Sequence, residues 1–117
     1  MGVDFRKNPR IYHKDLIHYK VFLSRGEVDF VEGSLGNISE TGLCAIVSKN
    51  FEPKVGEELK GYVRYVPLDD RLSIKGRVVW ITEYEHKGAK QLMLGFEFYS
   101  PIQFPEHLLA LSMSFES

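Results

Sequence analysis

Apolar side chains in this chain recur at every second residue, and that period fixes the class of fold. From Leu59 to Tyr65 one face reads Leu59, Gly61, Val63, Tyr65 and the other Lys60, Tyr62, Arg64. From Leu72 to Trp80 the set Leu72, Ile74, Gly76, Val78, Trp80 opposes Ser73, Lys75 and Arg77. From Leu92 to Phe98 the set Leu92, Leu94, Phe96, Phe98 opposes Met93, Gly95 and Glu97. Successive side chains of a strand point to opposite faces, so this pattern marks half-buried antiparallel strands. Strands are predicted at about 16–24, 27–36, 42–48, 58–66, 71–84 and 90–99. Turn-forming residues separate them: Arg25-Gly26, Asn37 to Gly42, Lys49 to Gly56, Pro67 to Asp70, and His86-Lys87-Gly88.

Six short strands with tight connections predict an all-β fold, a small closed barrel that leaves no exposed sheet edge. Pro105-Glu106 then opens a short helix, because proline is favoured in a first helical turn and an acidic residue suits that end. Leu108, Leu109, Leu111 and Met113 give it an apolar face to close one barrel end or to meet a partner. Residues 1–15 lack sustained alternation, and Pro9 interrupts any helix there, so they read as a basic loop. The organisation is thus one domain over 1–117: loop 1–15, barrel 16–99, helix 104–114. The 117 residues suit a single domain.

Composition narrows the function. Fifteen Lys+Arg face sixteen Asp+Glu, a net charge of -1, unlike the strongly basic proteins that coat DNA. The 44% hydrophobic content argues against disorder. The longest apolar run, Leu43 to Val47, is far shorter than the roughly 20 residues of a membrane span, and the N-terminus has no signal-peptide core. The single cysteine, Cys44, fits a reducing compartment and reads as a small buried hydrophobe, so a cytoplasmic location is expected. Charge is divided unevenly. Residues 1–25 hold six basic and two acidic side chains, a net of +4, and residues 26–117 hold nine and fourteen, a net of −5. Such a segment can hook a compact anion or pair with its own acidic surface.

Two short patterns carry chemistry. Arg6-Lys7-Asn8-Pro9-Arg10 is an R-x-x-x-R, and Asn37-Ile38-Ser39-Glu40-Thr41-Gly42 is an N-x-S-x-x-G between two predicted strands. Arginine offers planar, always-charged donors that bind guanine edges or phosphate and stack on bases. Two arginines four apart on a loop reach different parts of one ligand. Gly42 is able to take a positive φ. Asn37 and Ser39 either close an Asx-type turn or reach a nearby ligand, and successive backbone N–H groups of such a turn can face an anion. Each pattern is short enough to recur by chance.

Taken together, Arg6 and Arg10 before the first strand and Asn37-x-Ser39-x-x-Gly42 after the second resemble the two signature motifs of the PilZ domain family. Gly76-Arg77-Val78-Val79-Trp80 and Gly95-Phe96-Glu97-Phe98 are similar to that family's last two strands. The resemblance implies a six-stranded antiparallel β-barrel of split-barrel type with a C-terminal helix. It also implies a receptor or adaptor for the bacterial second messenger cyclic di-GMP, with no cofactor beyond that ligand. Carried over, Arg6 and Arg10 contact guanines and phosphates, Asn37 and Ser39 hydrogen-bond the ligand, and Gly42 holds the turn open. Asn37 stands where aspartate is commoner in the family, and Phe5 stands where an arginine accompanies an intercalated ligand dimer, which favours one ligand per domain. The expected mechanism is ordering: the nucleotide tethers residues 1–12 and changes the surface seen by a separate effector protein.

The remaining candidates are weaker. His13, His18, His86 and His107 are scattered without metal-ligand spacing. Asp69-Asp70 reads as a turn and not as a catalytic pair. Trp80, Tyr62 and Tyr65 are expected inside the barrel, and no histidine is spaced to activate Ser39. An enzyme is therefore not expected. Two alternatives stand beside the receptor: a PilZ-like protein-interaction domain that binds no nucleotide, and a small barrel for single-stranded nucleic acid.

Overall fold

The computed structural model describes residues 14–27, 29–86 and 88–114. Six antiparallel strands, β1 (Tyr19–Arg25), β2 (Asp29–Ile38), β3 (Gly42–Ser48), β4 (Glu58–Tyr65), β5 (Asp70–His86) and β6 (Ala89–Phe98), precede one helix, α1 (Glu106–Ser114). They close into a barrel in the order β1-β2-β3-β6-β5-β4, with β4 returning to β1. Every strand therefore has two neighbours, and no edge is left to pair with another chain.

The alternation read from the sequence builds the interior. Val21, Leu23, Leu43, Ala45, Leu59, Val63, Ile74, Leu94 and Phe96 point inward and form one buried cluster. Glycine sets two of the closest strand approaches. A Cβ at Gly61 would lie 1.7 Å from the backbone oxygen of Phe22, and one at Gly76 would lie 2.0 Å from that of Glu97. Both distances are inside van der Waals contact, so only glycine fits while β1–β4 and β5–β6 stay paired.

Three boundaries differ from the sequence expectation. Residues 14–18 form a 3-10 turn, Lys14–His18, and β1 begins at Tyr19; Leu16 and Tyr19, three apart, both pack into the core while Ile17 faces solvent. β2 continues to Ile38 because a bulge between Leu35 and Asn37 absorbs Gly36 and resumes pairing with β3. Asn37 is therefore a strand residue, not a loop residue. β5 is longer than expected and also bulged, between Val78 and Trp80. The bulge reverses the facing of the residues beyond it: Val78 is buried in the core, whereas Trp80 lies on the outer face, 43% exposed. Trp80 is thus not an interior residue. Tyr62 likewise lies half-buried on the outside of β4, stacked on Phe22 with ring centroids 4.7 Å apart.

The helix closes one barrel end. Leu108 is fully buried with Phe104 and Leu16, whereas Leu109 faces outward. His107 fixes the docking angle. Its Nδ1 lies 2.7 Å from the Tyr19 hydroxyl, its Nε2 lies 2.8 Å from Asp70 Oδ2, and its ring stacks on Tyr65 at 4.2 Å. Asp69 turns the chain between β4 and β5 with φ 52° and accepts from Arg64 Nε at 2.8 Å, as a turn residue should.

Candidate functional site

The turn joining β2 to β3 is built from the inside. Ser39 is 1% exposed. Its Oγ accepts from the Thr41 N–H at 3.2 Å and donates toward the Gly42 carbonyl at 3.4 Å, while its N–H donates to the same carbonyl at 2.8 Å. These bonds consume the hydroxyl. The Ser39 hydroxyl thus closes the turn, as a short hydroxyl so deeply placed bonds its own backbone. Gly42 differs from expectation. It opens β3 opposite Glu97, and the positive-φ glycines among the described residues are Gly26, Gly56 and Gly88.

The turn is clamped from outside by the last residue of β6 and the chain that follows it. Phe98 N–H donates to the Thr41 carbonyl at 2.9 Å, and Ile102 N–H donates to the Glu40 carbonyl at 2.8 Å. Six backbone or side-chain hydrogen bonds, with one between the Ser39 and Thr41 hydroxyls at 3.2 Å among them, thus hold a four-residue turn in one shape, which is the preorganisation that a recognition surface needs.

Register then places Asn37 in a row that the sequence did not reveal. Asn37 pairs with Cys44, Cys44 with Gly95, and Gly95 with Trp80, a single rung across β2, β3, β6 and β5. Directly paired residues share a face, and Trp80 shows that this face is the outer one. A Cβ on Gly95 would fall 2.2 Å from Trp80 Nε1, so the indole lies against the glycine backbone. Cys44 is buried but on this outer layer, outside the barrel core, near the Gly36 backbone. Alongside the rung, Arg77 and Glu97 form an exposed pair at 3.3 Å. The signal for Trp80 was present in the sequence as Val78-Val79-Trp80, three successive apolar residues that break the alternation.

Of the other expected site residues, Arg6 and Arg10 lie outside the described residues. Arg25, part of the basic N-terminal segment, is committed to structure. Its guanidinium bonds both Glu57 oxygens and Asp29, donates to the carbonyls of Phe51 at 3.0 Å and Glu52 at 3.3 Å, and lies 4.3 Å from the Phe51 ring centroid. The hydrogen bond from Arg25 holds the Glu57 carboxyl below its ordinary range, and the same bond raises the Arg25 pKa further. Among the described residues, no group of His, Cys, Asp and Glu is arranged to hold a metal, and no helix is long and apolar enough to cross a membrane.

The molecule is therefore a closed six-stranded barrel, plugged by a terminal helix, that presents a clamped β2–β3 turn beside a tryptophan-bearing outer face. The PilZ domain family model matches residues 4–114, and the chain belongs to that family. Among solved structures it is similar to the PilZ domain with c-di-GMP of YcgR from Escherichia coli, with 18% identity and a TM-score of 0.71 over 97% of this chain and 92% of that one. It is also similar to the Bacillus subtilis inhibitor of motility MotI/DgrA, with 15% identity and a TM-score of 0.64 over 97% of this chain and 51% of that one. At these identities the likeness is one of fold. A comparison with curated proteins finds no match.

Proposed function

We propose that this PilZ domain is a receptor for cyclic di-GMP that acts as an adaptor toward a separate effector protein. The observation that carries this reading is the clamped turn, with Asn37 on the outer rung and Ser39 closing the loop from beneath. Asn37 presents an amide to the ligand from the end of β2. Ser39 contributes by shaping the turn, and Gly42 by starting β3 directly after it. Arg6 and Arg10 supply the guanidinium groups for guanine edges and phosphates. The Trp80 indole borders the same face and offers an apolar wall to a bound base. Binding one nucleotide draws the basic segment toward the barrel and alters the surface offered to the effector, with no chemical step.

Calorimetric titration of cyclic di-GMP tests the reading. Trp80, the single tryptophan, gives a second signal by fluorescence. Arg6→Ala, Arg10→Ala and Asn37→Ala are each expected to weaken binding, and the two arginine variants leave the unliganded melting temperature nearly unchanged. A Kd weaker than about 100 μM for the unaltered protein, worth only about 5.5 kcal/mol, overturns it.

A further inference from the structure

A second surface lies on the opposite side of the barrel, on the outer faces of β1, β4 and β5. Register lays it out in rows. Phe22, Tyr62 and Ser73 form one rung, and Ser24, Lys60 and Lys75 form another, with Phe30 of β2 at its end opposite Ser24. Between the rungs, Leu23, Gly61 and Ile74 turn inward, so backbone floors a groove of about 670 Å³. Phe30, 68% exposed, stands at its edge with no core packing to account for it. An exposed aromatic beside an open apolar groove marks an interaction site.

Charge gives the chemistry of the occupant. Lys60 and Lys75 face each other across β4 and β5, and Lys20 lies on the same outer face. Among the described residues none of the three has an ion-pair partner. Arg71 is placed over the Tyr62 ring at 4.9 Å and lies 3.7 Å from Asp69, which also takes Arg64. The carboxylates on this face are Glu32, Glu58 and Asp69, and Arg77 lies opposite Glu58 at the end of the sheet, so six cations stand against three anions on a protein of net charge -1.

A groove with aromatics and lysines would also suit single-stranded nucleic acid, which needs free ring faces for stacking. The Tyr62 ring is already engaged: Phe22 stacks on it at 4.7 Å and the Arg71 guanidinium lies 4.9 Å from its centroid. What is left is an apolar trough with a cationic rim. We propose that the groove between the Phe22–Tyr62 and Lys60–Lys75 rungs docks an acidic protein segment, which sets one apolar side chain in the trough beside Phe30 and its carboxylates on Lys60 and Lys75. The assignment stands whether or not the domain binds a nucleotide, since no residue of the groove belongs to the β2–β3 turn.

The test is amide chemical-shift mapping on the full chain. The probe is a capped synthetic peptide carrying one leucine among aspartates. Its controls are the same peptide with lysines for aspartates, the same with serine for leucine, and oligothymidylate. The expected result is saturable shifts at Phe22, Ser24, Phe30, Gly61 and Lys75 with the acidic leucine peptide. Affinity should fall at least tenfold in the Lys60→Glu/Lys75→Glu double variant and severalfold in Phe30→Ser, and it should weaken with salt as exposed charges do. These residues are exposed, so the variants keep the unaltered melting temperature, which a melt verifies. Absence of shifts, equal binding of the lysine peptide, or tighter binding of oligothymidylate overturns the proposal.

Discussion

Replacing Gly95 by alanine tests whether the outer rung is laid out as described. The new Cβ would fall 2.2 Å from Trp80 Nε1, 2.4 Å from Cε2 and 2.6 Å from Cδ1. Ordinary carbon contacts begin near 3.5 Å, so the indole must retreat by roughly 1.3 Å. The least costly response is a shift within its rotamer, about 1 kcal/mol. The most costly is full release. Trp80 is 43% exposed, so with about 250 Å² for a tryptophan side chain roughly 140 Å² returns to water, about 3.5 kcal/mol at 25 cal/mol per Å². The expected loss lies between these limits. Urea unfolding measures it, and Trp80 as sole tryptophan reports the displacement directly through emission moved to longer wavelength. An unchanged emission maximum together with a loss below about 0.3 kcal/mol would falsify the placement of the indole on Gly95, and with it the rung that joins Asn37 to Trp80.

Other perturbations probe the frame that holds this surface. Arg25→Met leaves Glu57 without its partner; their side chains are 30% and 20% exposed, between a surface and a buried pair, so a loss of about 2 kcal/mol is expected by denaturant unfolding at neutral pH. Because Arg25 depresses the Glu57 carboxyl, that stability is present above the unfolded value of 4.5 and disappears as pH falls through the folded value; the variant should show a flatter stability profile below pH 4.5, and parallel profiles would sink the argument. His107→Ala removes the bridge to Tyr19 and Asp70 and the stack on Tyr65; about 1–2 kcal/mol is expected, read as faster amide exchange in Glu106–Leu111 with the β strands unchanged. Gly61→Ala drives a Cβ into the Phe22 backbone at 1.7 Å and should cost about 3 kcal/mol or more; a loss under about 1 kcal/mol in urea would show that β1 and β4 are not so close.

Much of the fold is legible in the sequence because a barrel interior is a period-2 object. Leu59, Val63, Ile74, Leu92, Leu94, Phe96 and Phe98 all fall where alternation puts them. The pattern fails where a bulge adds one residue, since everything beyond changes face. Gly36 and Val79 are the two places, and both adjoin the candidate site: one carries Asn37 into β2, the other swings Trp80 outward. The turn motif was legible as a motif but not in its division of labour. Whether Ser39 meets a ligand or its own backbone depends on its depth, set by the clamp from Phe98 and Ile102, some sixty residues away in sequence. No local pattern contains that information.

Charge shows the same limit from another side. The sequence divides into a segment of net +4 and a body of net −5, which assigns the capacity for anion binding to the first 25 residues. Folding redistributes it. Arg25 drops out of that tally, since Glu57 and Asp29 neutralise it against Phe51. Lys20 joins Lys60, Lys75, Arg64 and Arg71, which arrive from β4 and β5 because antiparallel register sets outward residues side by side. Those four residues stand in the nominally acidic body, forty to fifty-five positions after Lys20, yet with it they make a basic face. A linear tally cannot find such a face, because strand pairing decides which charges become neighbours. The barrel thereby separates two surfaces of different chemistry: a clamped turn beside an indole, and across the barrel an apolar trough with a cationic rim. A domain of this size can carry both only because a closed sheet commits its inner face to the core and leaves its whole outer face for recognition.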